Sequence, residues 1–505
     1  MKTARLVAIA LLSVLLLSSL VWAQQVSLTI LHTNDTHGHL LPFSYPAVVP
    51  AGSELAGLTV RRDIGGIARR ATLVKRIRQQ LEPHGTTVWF VDAGDFCDGT
   101  PFSTEYHGEA DVAAMNAAGY TFGTLGNHEF NNTLAQLKKL ISEFRYPVLT
   151  ANATEISTGK LLTKEGSIVR NVGPLRIGIF GILTRESAGY PAAKDKVTIA
   201  DEIETAQRMV KVLRPKADII IAISHAGEQV DEKIGAAVEG LDVIIGGHSH
   251  SRLPSGQFVW RSDELKAKDV NGTIIVQAHQ WGGELGRLDL LFAKDEKGAW
   301  HVDRYHARLI PVTADIPEDA AVAAVVDHYW KPIASHYGEV IGQAADDISE
   351  RGEDLAPYNL VADLIRAAMG TDVEFENMGG VRAPLIKGNI TLSDIINMDP
   401  FDNTIVTFKV TGRQLKDILR TTRPAVSGLR YRLENGELKD VTVAGEPVVD
   451  NRVYTGCTNS YFAGYGLKGI EFTNTGKSRR DVFIEQIRKK GTVEPSYDGR
   501  RVVIR

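Results

Sequence analysis

Gly126-Asn127-His128-Glu129-Phe130 closes a β-rich run, Tyr120 to Leu125, and precedes a helical pattern that starts near Leu134. Asn127 offers a neutral oxygen that can complete a metal shell without adding charge, and His128 beside it can titrate near neutral pH. A polar loop at the end of an apolar strand is where an open α/β sheet places its chemistry. The same residues also read as a Gly-Asn turn that caps the next helix. Four similar loops elsewhere in the chain tip the balance towards chemistry.

Each of the five loops follows a β-rich run and carries hard or borderline ligands. Asn34-Asp35-Thr36-His37 follows Val26–Leu31, and Asp35 and His37 point the same way if the strand extends through them. Ala93-Gly94-Asp95 follows Thr87–Val91, Ser224-His225-Ala226-Gly227 follows Asp218–Ile223, and Gly246-Gly247-His248-Ser249-His250 follows Asp242–Ile245. Glycines beside the ligands permit close backbone approach, which an active-site rim uses and a core does not. The donor set is Asp35, His37, Asp95, Asn127, His225 and His248, with His250 as a further candidate and no thiolate. It suits Zn, Mn or Fe rather than a Cys-rich structural zinc site. It also exceeds what one tetrahedral ion needs and fits two divalent ions sharing a carboxylate. Such a pair, about 3.5–4 Å apart, can clamp the attacking and leaving oxygens of a phosphoryl displacement and bring the pKa of a bound water from about 15.7 towards 7.

The chain has 505 residues, beyond the size at which one core keeps growing, so two or more domains are expected. A hydrophobic share of 43%, a charged share of 23% and a net charge of -4 are those of an ordinary globular protein. They give no general field for a nucleic-acid polymer or an anionic membrane, so local groups must attract an anionic substrate. The start, MKTARLVAIALLSVLLLSSLVWAQQ, reads as a secretory signal peptide: Lys2 and Arg5, an apolar stretch from Leu6 to Leu20, then Val21-Trp22-Ala23 before a cleavage site. Export to the periplasm or the medium follows; an uncleaved anchor is the alternative, disfavoured because the run is shorter than the ~20 residues that span a bilayer. Cys97 and Cys457 fall in different expected domains and read as unpaired buried thiols.

From Val26 to about Ile310, β-rich runs alternate with amphipathic helical stretches such as Ile67–Leu81 and Glu202–Leu213, which argues a layered α/β domain. The expected organisation is a leader over 1–23, a catalytic domain over 24–316, a linker helix over 317–341 (Pro317 to Ile341) and a second domain over 342–505 that opens with a helix at Leu360–Ala368.

Asp35-x-His37, Gly94-Asp95, Gly126-Asn127-His128-Glu129, His225 and Gly247-His248-Ser249-His250 together resemble the signature of calcineurin-like metallophosphoesterases. Within these, the chain is similar to the exported 5'-nucleotidase family, which includes UDP-sugar hydrolases and 2',3'-cyclic-nucleotide phosphodiesterases. The resemblance implies a four-layer α/β/β/α sandwich followed by a smaller α/β substrate-binding domain. It implies one metal held by Asp35, His37 and Asp95, with His250 where relatives often have Gln or Asn. A second would be held by Asn127, His225 and His248, with Asp95 bridging. His128 would then face the phosphate and assist the leaving oxygen. In the 5'-nucleotidases an Asp three residues after this His pairs with it; here that position is Asn131, an amide that can orient the ring but adds no negative charge. An Asn there resembles the cyclic-phosphodiesterase branch, although it also reads as the start of the next helix.

The second domain carries the resemblance further. Glu376-Asn377-Met378-Gly379-Gly380-Val381-Arg382 is similar to the family's Asn-x-Gly-Gly-x-Arg segment, which implies that Arg382 forks a phosphate and Asn377 bonds the base. Arg351 falls where relatives place another phosphate-binding Arg, or else is a solvated charge. Phe401, in Met398-Asp399-Pro400-Phe401, and Tyr461 fall where two aromatics would sandwich a nucleobase; ordinary core packing is the other reading of both rings. Gly464-Tyr465-Gly466-Leu467 lacks the acid that in relatives binds the ribose hydroxyls. The leading expectation is a metal-dependent nucleotide phosphoesterase of 5'-nucleotidase or UDP-sugar hydrolase type. The alternatives are a 2',3'-cyclic-nucleotide 2'-phosphodiesterase with 3'-nucleotidase activity, a relative acting on another small phosphorylated or sulfur-oxidation substrate, and a non-catalytic nucleotide-binding protein. The last would show eroded ligands, and every expected ligand is present.

Overall fold

Successive residues of the early strands face opposite ways, and their apolar side chains fill two different cores. In the computed structural model, which describes residues 25–504 apart from 51, 264–265, 267–271 and 353, Ile30 points into one cluster and Leu31 into another. Ile219, Ile221 and Ile223 likewise alternate with Ile220 and Ala222. Strands buried on both faces need cover on both, and that demand sets the layers. The expected leader lies outside the described residues.

Two sheets pack face to face through Leu28, Ile30, Val91, Ile179, Ile221, Ile245 and Leu290. The first runs in the order Trp300–Pro311, Glu284–Lys294, Val26–Thr33, Thr87–Asp92, Phe122–Gly123. The second runs Gln257–Val259, Thr273–Val276, Val243–Gly246, Ile219–His225, Leu175–Leu183, Ser167–Val172. Helices Ile67–Leu81, Glu109–Ala118 and Ala320–Trp330 cover the outer face of the first sheet through Ala71, Val74, Ala114, Met115, Val322 and Val326. Helices Glu202–Leu213 and Glu228–Ala237 cover the second through Ala206, Met209, Val210 and Ile234. The result is the expected α/β/β/α sandwich.

The central strands of each sheet are parallel and end in register. Thr33 pairs across from Asp92, Asp92 from Gly123, and Ser224 from Gly246, so the loops that follow all emerge at one edge. Two boundaries differ from the sequence reading. The first strand stops at Thr33, so Asp35 and His37 reach the site from left-handed backbone, with φ of 50° and 46°, not along an extended strand. The helical run expected across Pro317 to Ile341 is broken into Ala320–Trp330 and Ala334–Tyr337, followed by a strand at Val340–Ala344. Pro332 supplies the reason, since its ring removes a donor and excludes the preceding residue from continuing the helix. The first helix packs on the sandwich, whereas Ile333 and Tyr337 join the core of the following region.

That region centres on a sheet ordered Ala425–Ser427, Val373–Glu376, Val453–Asn459, Thr404–Thr411, Phe472–Ser478. Helices Ala356–Met369 and Arg479–Lys490 cover one face and Gly412–Thr422 the other. The inter-sheet core of the sandwich is the stabilising layer on which the loop edge rests. Ile221→Ala should therefore lower the unfolding free energy by about 2–5 kcal/mol, read from urea denaturation. Val212→Ala, at a position 43% exposed, should shift it by less than about 0.5 kcal/mol.

Candidate metal centre

Bringing five polar loops to one edge puts carboxylates and imidazoles into a space from which water is largely excluded. Asp35, Asp95, Asn127 and His225 are all at most 2% exposed. The approach is close enough that only glycine fits at the contacts. A Cβ on Gly126 would lie 2.1 Å from Asp95 Oδ1, and one on Gly94 2.7 Å from the Gly126 nitrogen. The backbone is strained to match: Asp35, His37, Asp95, Asp98, His248 and His250 all have positive φ, a conformation costing on the order of 1–3 kcal/mol for each non-glycine residue.

Three triplets of donors each lie within 4.8 Å of one another: Asp35, His37 and His250; His37, Asp95 and His128; Asp95, His225 and His248. His250 Nε2 stands 3.3 Å from Asp35 Oδ1, and the Nε2 atoms of His37 and His250 face each other at 3.2 Å. On the other side, His225 Nε2 is 3.0 Å from Asp95 Oδ2 and 3.2 Å from Asn127 Oδ1. Among the described residues, Asp35 Oδ1 is buried and accepts no hydrogen bond. A buried, unpartnered carboxylate oxygen beside imidazole nitrogens is an arrangement that cations complete, so the donor set fits divalent ions. Burial alone would raise the Asp35 carboxyl, but His250 and His225 outweigh it and hold the group low. Burial likewise opposes charge on His225, yet Asp95 and Asp35 push it up to about 10.

Backbone carbonyls fix which ring nitrogens face the cluster. His225 Nδ1 lies 2.7 Å from the Ala93 carbonyl and His37 Nδ1 lies 3.0 Å from the Asp98 carbonyl. In the neutral rings, donation there leaves each Nε2 with the free lone pair, the usual way a ligating imidazole is held. Asn127 makes no side-chain cap to the short helix that follows; its amide donates to Tyr190 Oη at 2.9 Å while its oxygen faces His225. The loop does turn, with the Asn127 carbonyl accepting from the Phe130 N–H at 3.0 Å, but the capping part of that reading fails, and Thr133 caps the helix Leu134–Glu143 instead. Glu129 cannot be singled out in the sequence, because a buried acid in a loop carries no periodic signal. It accepts from the backbone N–H of Gly126 at 2.6 Å, Asp95 at 3.0 Å and Cys97 at 3.2 Å, tying two of the loops together.

At the rim, His128 Nδ1 is 2.7 Å from Asp98 Oδ2, and the Asn131 amide lies within hydrogen-bond reach of both. Asp98 is a second residue that sequence reasoning missed. Followed by Gly99, it reads as an ordinary Asp-Gly turn, and only its three-residue distance from Asp95 hinted otherwise. From the second region, Arg382 brings Nη2 to 3.5 Å from His37 Nε2, its own N–H held by the Met398 carbonyl at 2.9 Å. Phe401 lines a 210 Å³ cavity with Asp98, Asn131 and Asn132. Asn377 is buried with its amide 2.8 Å from that of Asn459, and the Gly379 N–H donates to Tyr358 Oη at 2.9 Å. Tyr461 is 63% exposed, with Tyr465 beside it. Arg351 sits on the Glu350–Arg351 strand of a small hairpin, where its guanidinium lies 4.2 Å over the Tyr497 ring, a cation–π contact. Glu186, also unforeseen, approaches His248 Nε2 at 3.3 Å.

The packing at Gly126 makes a test of the donor cluster possible without touching a donor. Gly126→Ala should displace Asp95 and lower the manganese content of the purified protein severalfold, measured by elemental analysis, with far-ultraviolet circular dichroism unchanged.

Comparison with known proteins agrees with this geometry. The calcineurin-like phosphoesterase family matches residues 28–252, and the 5'-nucleotidase C-terminal domain family matches 340–475. A 5'-nucleotidase of Bos taurus is 32% identical over 80% of this chain and 74% of its own length. The trifunctional nucleotide phosphoesterase protein YfkN of Bacillus subtilis is 28% identical over 94% of this chain, which spans only 34% of that longer protein. The crystal structure of a 5'-nucleotidase precursor from Thermus thermophilus superposes with a TM-score of 0.82 at 28% identity, covering 95% of this chain and 99% of that one. With both regions matched in order and the donor cluster at the strand edge, the chain belongs to the 5'-nucleotidase family of metallophosphoesterases and is a phosphoester hydrolase.

Proposed function

We propose that the protein is an exported phosphoesterase that hydrolyses nucleotides with two divalent ions, zinc, manganese or similar. The observation that carries this reading is the convergence of Asp35, His37, Asp95, Asn127, His225, His248 and His250 at one edge, with His128 and Arg382 beside them. Asp35, His37, Asp95 and His250 would hold one ion, and Asp95, Asn127, His225 and His248 the other. Bound there, the ions would lower the pKa of water at neutral pH and neutralise charge on the phosphoryl oxygens.

The chain's own groups supply the rest. Arg382 presents a planar fork that suits a phosphoryl group. His128 would donate a proton to the departing oxygen, a contribution of about 10²–10⁴ in rate. Phe401 and Tyr461 offer aromatic faces for a base, and stacking of that kind tolerates any nucleobase. The leader over 1–23 supports export, and no helix among the described residues is long and apolar enough to cross a membrane. A cyclic-nucleotide phosphodiesterase is the second reading, favoured by Asn131.

Assayed side by side with manganese or zinc, AMP should be turned over faster than UDP-glucose and 2',3'-cyclic AMP. A dominant rate on the cyclic diester would replace the first reading with the second. His128→Ala should lower kcat by about 10²-fold or more, and chelation should abolish turnover of all three substrates. Activity that survives both treatments would remove the metal-centred mechanism.

A further inference from the structure

The Asp98–His128 contact has chemistry that the metal cluster does not explain. An ionised carboxylate only accepts hydrogen bonds and an amide nitrogen only donates them. Of the three groups that meet here, Asp98 Oδ2 is therefore the acceptor for both neighbours. His128 Nδ1 donates to it across 2.7 Å, and the Asn131 amide donates to the same oxygen from the other side. The Asn131 nitrogen is also 3.1 Å from His128 Nδ1, so the side chains of residues 98 and 131 both reach the same ring atom. The Asp98 side chain remains 19% exposed at the rim, in a left-handed turn with φ of 74°, and lines the same cavity as Phe401.

We propose that Asp98 is the positioning residue for His128, its carboxylate standing in, from the loop after Asp95, for the acid that Asn131 does not provide. The amide of Asn131 becomes a clamp that holds Asp98 against the ring. With hydrogen fixed on Nδ1, Nε2 is the nitrogen left to exchange a proton with the substrate. The same residue steadies His37 through its backbone carbonyl, 3.0 Å from His37 Nδ1, a contact that a side-chain change leaves in place. The geometry also makes positions 98 and 131 exchangeable, because either can present an oxygen to Nδ1.

This inference rests on the proposed role of His128, and its test separates the two. In the full-length manganese-loaded protein, the isosteric Asp98→Asn should lower kcat about 10- to 100-fold with KM for AMP and bound manganese per chain little changed. The reciprocal pair Asp98→Asn with Asn131→Asp should recover most of that loss, since the carboxylate returns from the other side. In a His128→Ala background, Asp98→Asn should cost nothing further, the non-additivity expected of groups that act as one unit. Unchanged kcat in Asp98→Asn overturns the proposal. So does a reciprocal pair no faster than the single variant, or a loss that persists undiminished in the His128→Ala background. Full activity of His128→Ala itself would instead overturn the reading on which the inference stands.

Discussion

Two buried carboxylates, Asp35 and Asp95, are the constraint around which the molecule is arranged. Each is at most 2% exposed and neither has a lysine or arginine as its ion-pair partner among the described residues. Charge removed from water must be compensated nearby, and imidazoles from four of the five loops gather about these two oxygen pairs. Bringing them there costs backbone strain at six site residues and forbids side chains at the glycines between them. Loops held so tightly need a rigid base, and two sheets packed face to face provide it.

The second region completes the rim rather than the ligand set. Arg382 follows the Val373–Glu376 strand at the end of a turn that is tied to a buried ionic cluster. There Arg479, 1% exposed, bonds Glu376 and Asp399 and donates to the Gly380 carbonyl at 3.1 Å. A cation whose partners are all buried fixes the course of the turn from 376 to 382, since breaking such a pair is far costlier than forming it is gainful. Burial opposes charge on Arg479, but Asp399 and Glu376 overcome it and raise its pKa. The conformation of the Gly379-Gly380 turn, and so the aim of Arg382, is set from behind.

Much of this was legible in the residues. Helices Ile67–Leu81 and Glu202–Leu213 begin and end where their 3.6-residue spacing says, because amphipathic periodicity reports directly on which face is buried. The seven candidate metal donors stood out because polar residues at strand ends, flanked by glycine, serve no packing purpose. What could not be read has a common cause: it depends on contacts between distant segments. Asp98 looks like turn chemistry until the His128 loop is folded against it, 30 residues away in sequence. Glu129 looks like an unremarkable acid until three amides from two loops surround it. The break after Trp330 was available in Pro332 and was masked by the helical pattern on either side.

Glu129 also bears on how this site could be moved to another protein. Burial and the charge of Asp95 push its carboxyl up to about 7, against the pull of its amide donors and His225, so the group is content only where all of those amides converge. Grafting the tight turn 126–130 into a foreign scaffold would leave that acid in an apolar hole and scatter the donors it organises. The smallest transplantable unit of this contact is the turn together with backbone 94–97, carried as one block, and a designer who keeps that pair intact inherits the spacing between those two loops.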